Sequence, residues 1–138
     1  MSLGPQQIEL IEFTNAAPYP PDSTSCDPWF QHCAIEVSDM DVACARVMQH
    51  GAVSITRGGP QTLPHSTGSV IAFKFRDPDG HPLELIHFPA DTGDPCWQSV
   101  RGDGLTLGID HGAGFGQRCH DAPLATMAGS PGAPERRS

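Results

Sequence analysis

The stretch FRDPDGHPLELIHF, residues 75–88, decides the fold of this chain. Within it, DPDG at 77–80 has proline at the second position and glycine at the fourth position of a type I turn. The runs SVIAFKFR before the turn and PLELIHF after it are typical of β-strands, so we predict a hairpin. Its second strand points alternate side chains to opposite faces of the sheet, Leu83, Leu85 and His87 to one and Glu84, Ile86 and Phe88 to the other.

A second segment with the alternation of a strand is FQHCAIEV, residues 30–37. Its side chains divide between two faces, with Cys33, Ile35 and Val37 on one and His32, Ala34 and Glu36 on the other. The first face is apolar and the second is mixed, which predicts a strand buried on one side.

A helix is predicted over residues 39–50, where apolar side chains recur at helical spacing. Ser38 precedes it, and Asp41 follows three residues later at the spacing of a capping box. Gly51 is the expected stop signal, because glycine readily adopts the left-handed conformation that ends helices.

Residues 52–56 predict a short strand, and the Gly/Pro/Ser-rich residues 57–68 predict an irregular loop that could act as a lid. The element order over residues 30–88 is therefore βαβββ. We predict an α+β fold with a curved mixed or antiparallel sheet of about four strands, packed by the single helix. One helix leaves the other sheet face uncovered, so something else must pack there.

Two further segments resemble parts of this unit and indicate an internal repeat. QQIELIEF at residues 6–13 matches HPLELIHF and places Glu9 opposite Glu84. LGIDHGAG, further along the chain, resembles WFQHCAIE and places His111 opposite His32. The chain is thus expected to contain the last strand of one module, a complete second module and the first strand of a third.

The repeat divides the chain into three predicted parts. Residues 1–28 are the terminal strand of a preceding module with a proline-rich linker, and residues 29–90 are the βαβββ module. Residues 91–138 are a linker, the possible start of a further module, and a tail. The tail after Gly112 lacks any periodic pattern and is expected to be irregular and disordered.

Composition excludes several classes of partner. Sixteen acidic and eight basic residues give a net charge of −8, and Lys74 is the only lysine, so nucleic acid and anionic lipid are poor partners. No signal peptide and no apolar run of about 20 residues is present, which predicts a cytoplasmic protein with no membrane contact. Five cysteines without a CxxC spacing are expected to be reduced.

From Trp29 to Pro89 the chain resembles the vicinal-oxygen-chelate superfamily of glyoxalase I, bleomycin-resistance proteins and extradiol dioxygenases. QHCAIEVSDMDVA and FRDPDGHPLELIHF carry the resemblance, which covers a little under half of the chain. It implies that a first-strand His or Gln and a fourth-strand Glu in each module face inward and bind one divalent ion. By this resemblance His32 and Glu84 are metal ligands, with Glu9 and His111 their equivalents in the flanking part-modules.

His and Glu side chains suit Zn, Ni, Fe, Co or Mn, but two ligands from one module are too few for a closed site. A lone module would also leave Ile86 and Phe88 facing solvent, so we predict a homodimer that brings two copies of the ligand pair together. The alternative is that Glu9 and His111 fold back and complete the site within one chain.

Three functions are compatible with the resemblance, and each implies a small-molecule substrate or ligand. The first is a metal-dependent lyase or isomerase, in which the ion stabilises an enediolate and Glu84 is ligand, or ligand and base. The second is an extradiol dioxygenase using His32, His111 and Glu84, although such enzymes use further His and Tyr residues and Tyr19 is the only tyrosine. The third is a bleomycin-resistance-like binding module without turnover.

Overall fold

The computed structural model describes residues 2–3, 6–18, 22, 31–99 and 104–112. Its strands are β1 (Ser2–Leu3), β2 (Gln6–Gln7), β3 (Cys33–Val37), β4 (Val53–Ser54), β5 (Gln61–Thr62), β6 (Ile71–Arg76), β7 (Pro82–His87) and β8 (Thr106–Gly112). Its helices are α1 (Met40–Gln49) and the short α2 (Pro95–Ser99), with a 3-10 turn at His65–Thr67. The tail predicted after Gly112 and most of the predicted linker lie outside the described residues.

The main sheet confirms the predicted α+β fold and its βαβββ order. It runs β4-β6-β7-β3-β8, with β5 also paired to β6. Strand β3 pairs in parallel with β7, and the other pairs are antiparallel, so the sheet is mixed. It has six strands instead of about four, because β5 and β8 join it.

The start of helix α1 differs from the predicted capping box. The cap is Asp39, whose Oδ1 accepts a hydrogen bond of 2.9 Å from the Val42 amide. The Ser38 hydroxyl instead donates to the Gly104 carbonyl at 3.0 Å, so the pairing of Ser38 with Asp41 was wrong. Neither α1 nor any other helix in the described ranges is both long and apolar enough to cross a membrane.

The loop predicted over residues 57–68 is more regular than its composition indicates. Gln61 and Thr62 form β5 by pairing with Ala72 and Ile71 of β6, and the Leu63 amide donates to the Val70 carbonyl at 2.8 Å. The exposed backbone edge of β6 supplies this partner, and a composition rich in Gly, Pro and Ser does not reveal such an edge.

The hairpin of β6 and β7 is confirmed, and its turn depends on Asp77. One oxygen of this carboxylate accepts from the Asp79 amide at 3.0 Å and from the His81 amide at 2.8 Å. These bonds fix the turn, and the turn fixes the register that pairs Lys74 with Glu84 across the hairpin.

Each face of β7 carries an apolar cluster, in agreement with the predicted alternation of its side chains. Leu85 packs towards α1 in a core with other buried side chains, Val37, Met40, Ala43, Ala52, Phe73 and Phe75. Ile86, on the opposite face, packs with Ala34, Val70 and Phe88. Ile86 is only 7% exposed within the single chain, so covering it does not require the second copy that was predicted.

The strand predicted over residues 6–13 forms only at its beginning. Gln6 and Gln7 pair with Leu3 and Ser2, whereas the residues from Ile8 to Phe13 lie outside any strand. A β-strand needs a neighbouring strand along its whole length, and the pairing of β2 with β1 ends at Gln7. The segment from Ile8 to Phe13 has large apolar side chains that are exposed, namely Leu10 at 77%, Ile11 at 66% and Phe13 at 72%.

Candidate metal centre

The candidate centre is built around Ala34, in the strand that lies between β7 and β8. Ala34 pairs with Glu84 on one side and with His111 on the other. Directly paired residues point to the same face, and His32, two residues earlier, points there as well. Because the fully buried Ala34 is small, it leaves space above it in which the three longer side chains meet.

The donor atoms of these three side chains are close enough to share one ion. His32 Nε2 lies 3.0 Å from Glu84 Oε2, and His111 Nε2 lies 3.8 Å from the same oxygen. One donor atom from each residue lies within 4.8 Å of the other two. Ligands of a tetrahedral ion with bonds of about 2.0–2.1 Å are about 3.3 Å apart, so this group fits a divalent metal after small side-chain shifts.

Lys74 balances the charge of the buried carboxylate. Glu84 is 7% exposed, and Lys74 Nζ lies 3.9 Å from its Oε2 on the neighbouring strand. A separation of 3.9 Å is too long for a direct hydrogen bond, so the pair is held by charge alone. The register of the hairpin places Lys74, the only lysine in the sequence, beside the centre.

A second carboxylate orients His111. Strand β8 pairs Ile109 with Ile35 and His111 with Ala34, which leaves Asp110 as the extra residue of a β-bulge. Asp110 Oδ2 lies 2.8 Å from His111 Nδ1, and its Oδ1 accepts from Trp97 Nε1 at 2.9 Å. The hydrogen bond with Asp110 raises the pKa of His111, although burial opposes the rise. Protonation of Nδ1 leaves Nε2 facing Glu84 as the donor atom.

We expect Asp110→Asn to weaken metal binding without abolishing it. An asparagine has one acceptor oxygen for two donors, so the His111 ring would lose part of its orientation and basicity. Loss of such an outer partner costs about 10-fold to 100-fold in metal affinity, and we expect about tenfold here. Zinc titration by isothermal calorimetry measures it, with Asp22→Asn at an exposed site as the matched control. An unchanged affinity in Asp110→Asn would contradict the orienting role.

Glu9 lies apart from this group among the described residues. It is exposed in the segment that follows β2 and is not among the donors that meet around Glu84. Its role as a ligand stays a prediction. Sequence reasoning did not identify Asp110 or Trp97, and the only local signal was an acidic residue directly before His111.

The chain matches the family model of the Glyoxalase/Bleomycin resistance protein/Dioxygenase superfamily over residues 1–85. This match covers more than half of the chain, and the chain belongs to that superfamily. The resemblance found in the sequence is thereby confirmed.

Two relatives are lactoylglutathione lyases of Neisseria meningitidis, one from serogroup A and one from serogroup B. Each is 42% identical to the chain over 71 residues, which cover 51% of the chain and 49% of the relative. The chain therefore spans about half the length of these relatives. No solved structure matches it significantly.

Proposed function

We propose that this protein is a divalent-metal-dependent lyase or isomerase for a small molecule with two adjacent oxygens. The observation that carries the proposal is the meeting of His32, Glu84 and His111 on one sheet face. The side chain of His111 is 43% exposed, so the group opens to solvent on one side, where a substrate can enter. The relatives' name supports the substrate class, because lactoylglutathione has a hydroxyl beside a thioester carbonyl.

The side chains at the centre have separate roles in the proposed reaction. His32, His111 and Glu84 would hold the ion, which when bound supplies a Lewis acid that polarises both substrate oxygens. Glu84 would also move the proton between the carbons that bear those oxygens, since it is the carboxylate nearest to both imidazoles. Lys74 supplies positive charge beside this carboxylate, and Asp110 holds His111 in position.

A ring-cleaving dioxygenase is the second candidate, and the donor set favours it. Two histidines and one carboxylate with open positions are the ligands of non-haem Fe(II) oxygenases. His32, His111 and Glu84 have this composition. Oxygen uptake with catechol and Fe(II) distinguishes this function from the lyase.

Turnover tests the lyase directly. The protein is loaded with Zn²⁺, Ni²⁺ or Co²⁺, and formation of lactoylglutathione from methylglyoxal and glutathione is followed by thioester absorbance. We expect activity that a chelator removes and added metal restores. Glu84→Gln should lower the rate by about 100-fold or more, because the amide can neither take the proton nor bind the ion as well.

The matched control is Glu12→Gln, the same substitution at an exposed glutamate, which should keep the wild-type rate. Activity that persists in the chelated protein would contradict metal dependence. If the metal-loaded protein is inactive while the Fe(II) form consumes oxygen with catechol, the dioxygenase is the better function.

We propose further that the protein forms a homodimer, and that its contact surface is the exposed apolar side chains of residues 8–13 instead of the sheet face around Ile86. Leu10, Ile11 and Phe13 are large apolar side chains that are mostly exposed within four residues of the sequence, and clustered exposed apolar residues often mark protein interfaces. Multi-angle light scattering should give the mass of two chains, and the double variant Ile11→Ser, Phe13→Ser should give one. A monomeric wild type would contradict the proposal.

A further inference from the structure

A cavity of about 380 Å³ lies beyond the candidate metal centre on the same sheet face. Glu36 of β3 lines it and comes four residues after His32, so an extended backbone places the two α-carbons about 13 Å apart. Two aromatic rings, Trp97 and Phe88, line it as well. This volume is within the range of small-molecule sites, and the metal chemistry proposed above does not use it.

Two glycines allow the aromatic walls of the cavity to lie against the backbone. A Cβ at Gly108, which pairs with Glu36, would come within 2.9 Å of the Trp97 ring. A Cβ at Gly93 would overlap the ring of Phe88. Both rings are therefore held in place by close packing.

Glu36 is a buried carboxyl with incomplete hydrogen bonding. It is 2% exposed, and its Oε1 accepts from the Phe88 amide at 3.3 Å. Its Oε2 has no hydrogen-bond partner among the described residues. His87 Nδ1 lies 4.0 Å from Oε1, but it donates to the Val37 carbonyl at 2.7 Å and so is engaged elsewhere.

The charges around Glu36 select for a cation. The pKa of Glu36 is raised to about 8, chiefly by burial; the hydrogen bond from the Phe88 amide opposes this rise, and the negative charge of Asp110 adds to it. No described lining residue is Lys or Arg, so the wall offers no permanent positive charge. A ligand with its own positive charge would stabilise the ionised carboxyl, and aromatic faces attract such cations.

We propose that this cavity binds a small organic ammonium ion, with Glu36 as its anionic partner and the Trp97 and Phe88 rings around its alkyl part. The ammonium group keeps its protons, and Glu36 passes its own proton to the solvent as the ion pair forms. The site requires no metal, so it can be tested in chelator-treated protein.

The probe is n-butylammonium, with 1-butanol as its uncharged equivalent, titrated by isothermal calorimetry. We expect a dissociation constant in roughly the millimolar range for the amine and at least tenfold weaker binding of the alcohol. At pH 7, buffers of different ionisation enthalpy should show release of nearly one proton per amine bound. The affinity should rise about tenfold between pH 7 and pH 9, as Glu36 loses its proton before binding.

Glu36→Gln should lower amine affinity at least tenfold and remove the proton release, whereas Glu12→Gln should change neither. Among the described residues, the other ionisable groups close to Glu36 are His87 on β7 and Asp110 on β8, and both remain in these variants. If Glu36→Gln fails to fold, the buffer and pH experiments on the wild type decide. Equal affinity for amine and alcohol, or amine binding without proton release, would show that Glu36 does not pair with the ammonium group. Either result, or no measurable binding of the amine, would overturn the proposal.

Discussion

Replacing Glu84 or His32 with alanine should lower the affinity for Zn²⁺ by at least about a hundredfold. Loss of a residue that only supports a ligand already costs up to about a hundredfold, and loss of the ligand itself should cost more. Each change removes one of three donors that meet around Glu84 Oε2. Two remaining donors would leave the ion mostly to water. Competition with a chromogenic chelator at neutral pH measures the affinity, after any bound metal has been removed by dialysis.

Matched exposed residues provide the controls for this result. His50→Ala and Glu12→Ala remove the same side-chain types at exposed positions and should leave Zn²⁺ affinity at the wild-type value. Circular dichroism of the apo variants checks that the sheet persists, since a global loss of structure would also abolish binding. Wild-type affinity in either Glu84→Ala or His32→Ala would show that the ion is not held here.

Glu36→Gln should remove a large part of the pH dependence of stability. The pKa of Glu36 is about 8 in the folded protein against 4.5 for an unperturbed glutamate. Between these values the folded chain holds a proton that the unfolded chain releases, so this group destabilises the fold as pH rises from about 5 to 8. Over this pH range the free energy of unfolding should fall by on the order of 3 kcal/mol because of Glu36, which corresponds to roughly 10 °C in melting temperature.

The measurement is thermal unfolding of wild type and Glu36→Gln at intervals from pH 5 to pH 8, with a chelator present. The amide carries no titrating proton, so the difference in melting temperature should grow in favour of the variant with rising pH. The contributions of the other titrating groups are the same in both proteins and cancel in this difference. The control Glu12→Gln should have the melting temperature of the wild type at every pH. A difference that stays constant across the range would mean that Glu36 ionises at its ordinary pKa.

Local patterns predicted the parts of the fold that local chemistry determines. The DPDG turn is stabilised by Asp77, and the alternation in β7 separates Leu85 from Ile86, so both could be predicted from neighbouring residues. The addition of β5 to the edge of β6 depends on backbone groups far along the chain. The position of Ser38 depends on the carbonyl of Gly104, which no local pattern reveals.

The candidate site, too, could be predicted only where neighbouring residues determine it. His32 and Glu84 could be placed on one face because strand alternation and a turn of known register decide it. The proximity of His111 depends on the antiparallel pairing of β8 with β3, which the repeat suggested only as an alternative. The burial of Glu36 depends on Trp97 and Gly108, which meet only in the tertiary structure.

Strand β8 lies at the end of the sheet order and carries His111, and this position links metal occupancy to local unfolding. On its outer side, the Gln6 side chain accepts from the Ile109 amide and donates to the Ile109 carbonyl, in place of a neighbouring strand. Such an edge can open while the rest of the sheet stays closed. An ion shared by His111 and Glu84 would bind only the closed form, so each tenfold excess of free metal over its dissociation constant adds about 1.4 kcal/mol to the cost of opening. Amide hydrogen exchange in β8 would then slow in proportion to metal concentration, and the terminal strand would act as a sensor of the ion that it helps to bind.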